Sequence, residues 1–142
     1  MPPTAFDIHT FDITSDQTLI MIANDLHIDL NWIGFENDLI DQAYGNGAYI
    51  LNIGDDTGTH WVCLNVQNDV VFYFDSFAVP MNDVVLEWCS KNNVDTIHYN
   101  NKKQFQLMNQ SLCGIWCIVF LYDMQKKNGS IADRFQSFCN QL

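Results

Sequence analysis

Hydrophobic and polar positions change period several times along the chain, and each change predicts an element. From Ser15, the stretch SDQTLIMIANDL places Leu19, Ile22, Ala23 and Leu26 on one helical face, with Ser15 as its N-cap. HIDLNWIGFEND holds no period and reads as a loop around Gly34, and the glycines of QAYGNGAY mark a turn. AYILNI, HWVCLNV and VVFYFD are rich in β-branched and aromatic residues and read as strands; Gln67, Asn68 and Asp69 link the last two as a hairpin. After Pro80, MNDVVLEWCSKN predicts a helix with Val84, Val85 and Trp88 inward, and VDTIHYN a further strand.

The run FQLMNQSLCGIWCIVFL, from Phe105 to Leu121, is polar in its first half and almost wholly apolar after Cys113. It predicts a helix capped by Ser111 and closed by Lys126, Lys127 and Gly129. A helix apolar on every face belongs in the middle of a fold. A short helix from Ser130, burying Ile131, Phe135 and Phe138, ends the chain. With no internal repeat and no linker, residues 1–142 are expected to form one domain.

Composition narrows the class. At 142 residues with 48% hydrophobic and 13% aromatic content, the chain can build a core without a metal or disulfide. No apolar run reaches the roughly 18 residues of a membrane span, and MPPTAFDIHT lacks the pattern of a secretory leader, so a soluble intracellular protein is expected. Its 5 cysteines, an odd number, then read as reduced thiols. No CxxC or paired-histidine spacing offers a zinc site, and no cofactor is expected. A net charge of −11 repels phosphate backbones and argues against nucleic acid as a partner.

Candidate chemistry starts in the hairpin. With Gln67 and Asn68 at the centre of the turn, His60 lies opposite Asp75; with Asn68 and Asp69 there, Asp75 is its diagonal neighbour on the same face; a three-residue turn would put them on opposite faces unless a bulge intervened. A carboxylate beside a histidine fixes its tautomer and stabilises its charged form, as in a nucleophilic triad. The plainer alternative is a surface His–Asp pair at a strand end. Cys113, in the first turn of a buried helix, meets unpaired N–H groups and the positive helix end, which favour a thiolate nucleophile. The alternative is a cysteine that only packs, the expected lot of Cys117 one turn on. Gly114, without a side chain, lets a substrate backbone pass close by. An acyl-transfer site also needs oxyanion donors: the Cys113 N–H is one, and a loop glutamine supplies a second, with Gln104, Gln106 and Gln110 left equivalent by spacing.

The ordered set GTHW, YFDSF and FQLMNQSLCGIWCIVFL resembles the cysteine proteases of the adenovirus maturation protease (adenain) family, which are related to ubiquitin-like-protein proteases. LIMIANDLHIDLNWIGFEND and YILNIGDDTGTHWVCLNV extend the likeness, which covers roughly residues 15 to 127. The resemblance implies His60 as general base, Asp75 as its acidic partner, Cys113 as nucleophile and Gln106 as the oxyanion glutamine. It also implies Trp61 lining the site and Trp32 flanking the substrate groove. The implied fold is α+β and papain-like, with a mixed or antiparallel sheet packed on a central buried helix that carries the nucleophile.

The implied activity is a thiol-dependent endopeptidase that trims structural precursors of a virus or virus-like element during particle maturation, at Gly-containing sites, within the host cell and the virion. The chain departs from the adenoviral pattern in being shorter, in having Asp where Glu is common, and in lacking a cysteine near Asp95 and Thr96 to link a peptide activator. Activity without DNA is therefore expected, with a peptide activator left as an open alternative. Two further readings stand beside this one: a protease that removes ubiquitin-like modifiers, and a non-catalytic protein-binding domain on the same fold.

Overall fold

The computed structural model describes residues 15–53, 60–78, 81, 83–100, 113–127 and 129–140. A five-stranded sheet in the order β1-β2-β3-β4-β5 forms its centre: Leu30–Phe35, Gly47–Asn52, Trp61–Gln67, Val70–Phe74 and Thr96–Tyr99. The two edge pairs, β1–β2 and β4–β5, are parallel, whereas β2–β3 and β3–β4 are antiparallel. The sheet is therefore mixed. Among the described residues, four α-helices accompany it: α1 (Asp16–Asp25), α2 (Asp83–Lys91), α3 (Cys113–Lys126) and α4 (Ile131–Cys139). Among the described residues, no helix is long and apolar enough to cross a membrane.

Local sequence explains most of these elements. Ser15 and Ser130 cap α1 and α4 by accepting from the backbone N–H of Thr18 and Asp133. The segment expected as a loop around Gly34 is instead strand β1 followed by a 3-10 helix, Glu36–Asp41. As a sheet edge, β1 buries none of its residues fully, so it carries no apolar alternation to betray it. Its order comes from tertiary bonds. Gly47, at φ +125°, lets β2 start against Asn31, whose amide donates to the carbonyls of Gly45 and Asn46.

Side chains on the two sheet faces build separate apolar clusters. On one, Ala48, Ile50, Trp61, Cys63, Phe72 and Phe74 meet α1, α3 and α4. On the other, Tyr49, Leu51, Val62, Leu64 and Tyr73 meet α2 and the 3-10 helix. The line of α3 is set at its middle and near its C-terminus. Phe120 stacks on Phe74 with ring centroids 4.9 Å apart and meets Phe138 edge-on at 5.2 Å. Toward the C-terminus, Gln125 donates to Asn65 at 2.9 Å and to the Asp29 carbonyl at 3.1 Å, and accepts from the Asp29 N–H at 2.7 Å. Packing and polar bonds thus hold the helix that begins with Cys113 on the sheet beside β3.

Candidate active site

Hairpin register comes first, because it decides what faces His60. Gln67 pairs with Val70, so Asn68, at φ +58°, and Asp69 form the turn, which is the second of the two registers expected. Continuing that register past the strand ends makes Asp75 the diagonal neighbour of His60 and puts Phe77 across from it. His60 Nε2 and Asp75 Oδ1 lie 2.8 Å apart, and the ring of Phe77 stacks on the imidazole with centroids 4.5 Å apart.

Asp75 is 1% exposed, and the same Oδ1 accepts the Phe77 N–H at 2.8 Å. Its main chain is held on both sides by the side chain of Asn100, which follows β5: Asn100 Oδ1 accepts the Asp75 N–H at 2.9 Å, and Asn100 Nδ2 donates to the Asp75 carbonyl at 2.7 Å. Sequence reasoning missed both neighbours. Phe77 was within reach of the hairpin arithmetic, which places 77 opposite 60. Nothing local separates Asn100 from Asn92, Asn93 or Asn101.

Cys113 is the first residue of α3 and is 7% exposed. The backbone N–H of Trp61, next in the chain after His60, donates to its sulfur at 3.3 Å. One strand start therefore delivers both the imidazole and a donor to the thiol. Burial pulls the pKa of His60 down, but hydrogen bonding to Asp75 and Cys113, and their charges, outweigh it and raise the value from 6.5 to about 9. Nε2 is committed to Asp75, which leaves Nδ1 as the nitrogen available to the sulfur; Nδ1 is buried and makes no hydrogen bond of full geometry.

The other sequence-selected residues distribute differently. Trp61 is buried in the α3-side cluster and lines a cleft of about 210 Å³ with Ser15, Asp16, Gly34, Phe35 and Asn52. Trp32 pairs with Tyr49 and packs in the cluster on the other face, beside a recess of about 400 Å³ near Tyr44. The structure therefore does not gather Trp32 with Cys113, and the larger recess lies away from the thiol. Gly114 is buried in the first turn of α3. Cys117 is fully buried; burial first, then its Cys63 neighbour, raises its pKa well above the ordinary thiol value, which suits a packing role. Gln106 and Ser111 lie outside the described residues.

The chain matches no protein-family model and no curated protein by sequence. Its fold is similar to that of the ASFV pS273R protease in two crystal structures. With the selenomethionine form the TM-score is 0.53 at 14% identity, covering 86% of this chain and 60% of that one. With the other form the TM-score is 0.44 at 17% identity, covering 62% and 36%. The chain thus spans less than two thirds of the length of that protease, 60% in one structure and 36% in the other. The architecture is that of a cysteine protease fold, at a sequence distance that carries the fold alone.

Proposed function

We propose that the chain is a cysteine endopeptidase in which Cys113 is the nucleophile, His60 the general base and acid, and Asp75 the group that orients and charges His60. The observation that supports this reading is the convergence of three elements: a carboxylate from the end of β4 on Nε2 of an imidazole at the start of β3, next to a thiol at the start of α3. A surface His–Asp pair needs none of this burial.

In this mechanism the thiol proton resides on His60, and the Cys113 thiolate attacks the carbonyl carbon of the scissile peptide. Asp75 stabilises the imidazolium, while the Trp61 N–H holds the sulfur in line. The oxyanion that forms accepts from the Cys113 N–H and from Gln106, the glutamine chosen by family resemblance. His60 then donates its proton to the departing amine, leaving a thioester. Water, deprotonated by His60, attacks the thioester and releases the acid and the thiolate.

Substrates are proposed to be structural precursor proteins of a virus or virus-like element, cut next to glycine, where a narrow groove admits an unbranched backbone. The chain acts without DNA, in the host cell and in the particle. Trp61, whose side chain lines the smaller cleft and whose backbone N–H meets the thiol, contacts the substrate, as does Gly114. Co-expression with the particle proteins of its own genome tests this. Wild type trims a precursor and Cys113→Ala does not; intact precursors alongside cleavage of ubiquitin-like fusions would move the assignment to modifier removal.

A further inference from the structure

Asn100 is a buried polar side chain to which neither the nucleophile nor the base answers directly. β5 delivers it immediately after Tyr99, whose pairing with Tyr73 is the last between β4 and β5. β4 itself ends at Phe74. Beyond that end, the amide of Asn100 does the work of one more ladder rung, accepting from the N–H of Asp75 at 2.9 Å and donating to its carbonyl at 2.7 Å. Only a primary amide offers a donor and an acceptor side by side in this way. At 3% and 1% exposure, the two residues make these bonds out of competition with water.

The rest of the turn depends on the same backbone. The Asp75 carbonyl also accepts the Ala78 N–H at 2.8 Å, closing a turn in which Ala78 takes φ +56°. Phe77, inside that turn, stacks on His60 and donates to the carboxylate oxygen that faces Nε2. We propose that Asn100 is a positioning residue of the site: by clamping the main chain of Asp75 on both sides, it aims the carboxylate at His60 and thereby sets the proton affinity of the base. The protease reading gives this its purpose, but the coupling itself rests on geometry alone.

Among the described residues, the charged and titratable groups acting on His60 are Asp75, from the end of β4, and Cys113, from α3. Two phenols face Asp75 in turn. Tyr99 is raised to about 12 by burial and then by the charge of Asp75, and Tyr73 is raised further for the same reasons in the same order. Neither phenol titrates where His60 does.

The experiment follows the ring protons of His60 by NMR across pH in wild type and in Asn100→Leu, which matches the amide in shape but offers neither donor nor acceptor. The midpoint should fall from about 9 by one unit or more, a loss of about tenfold or greater in proton affinity. If the leucine variant does not fold, Asn100→Ser, smaller and able to make one bond, reports a shift in the same direction. Folded variants with lowered thermal stability and an unmoved midpoint would show that Asn100 is only structural, overturning the proposal. A parallel peptidase assay separates the two readings: a shifted midpoint without hydrolysis in any variant keeps the clamp and removes the protease, whereas hydrolysis with an unshifted midpoint removes the clamp.

Discussion

His60 Nε2 and Asp75 Oδ1 meet at 2.8 Å because the turn at Asn68 and Asp69 folds β3 back on β4 in a register that makes them diagonal neighbours. Hydrogen bonding in this contact is the largest upward pull on the imidazole against its burial, ahead of that from Cys113. Asp75→Asn keeps the shape and removes the charge, so His60 should titrate below about 9, closer to its ordinary 6.5. With the base poorly charged, kcat/KM at neutral pH should fall by on the order of 10² to 10⁴. An unchanged rate in a folded variant would detach Asp75 from catalysis.

The same shift makes stability depend on pH. His60 has a higher pKa in the folded chain, about 9, than its ordinary 6.5, so folding favours its protonated form. Its contribution is complete below 6.5 and is lost as pH rises through about 9. Urea midpoints measured between about pH 6 and about pH 10 should decline more for wild type than for His60→Gln. Parallel declines would mean that other groups carry the dependence.

Alkylation separates reactivity from access. By exposure alone, half-exposed Cys139 should react before Cys113, which is 7% exposed. Burial raises the thiol of Cys89 to about 11 and that of Cys117 well above the ordinary value, so both should be inert to iodoacetamide at neutral pH. Peptide mass mapping after brief treatment should find Cys113 modified first. Modification of Cys139 ahead of Cys113 would count against an activated nucleophile.

Three glutamines compete for the oxyanion role in the sequence. Gln106→Ala should lower kcat by on the order of 10² to 10³ while leaving KM nearly unchanged, since the donor acts on charge that exists only in the transition state. Gln104→Ala and Gln110→Ala should stay near wild type. A large loss at either of those positions, with Gln106→Ala active, would reassign the donor.

Phe120 tests how the site depends on the core. Its ring stacks on Phe74 and meets Phe138 edge-on, holding α3 against β4 and α4. Phe120→Ala should cost about 3 to 5 kcal/mol in chemical denaturation, through lost burial and the cavity left behind. A loss below about 1 kcal/mol would show that the core collapses around the gap and that α3 is anchored elsewhere.

Local signals in the sequence determined a great deal: the cap at Ser15 and the helix start at Ser130, the apolar period of α1, the β-branched and aromatic runs of β2, β3 and β4, and the apolar helix that opens at Cys113. These depend on residues near one another in the chain, whose propensities and burial patterns are written locally. Hairpin arithmetic placed His60 and Asp75 together in either two-residue turn, whereas a three-residue turn would have put them on opposite faces; the pairing of Gln67 with Val70 decides for a two-residue turn.

Tertiary structure decided the rest. Strand β1 exists because β2 offers it a partner, so its own residues show no alternation. Pairing direction at the sheet edges depends on how the intervening segments return, which no local pattern records. Asn100 reaches Asp75, and the Trp61 N–H reaches the Cys113 sulfur, only after the sheet and α3 have packed. A hydrogen bond between positions 25 or 52 residues apart has no periodicity to announce it. It is fixed by where separate elements come to rest.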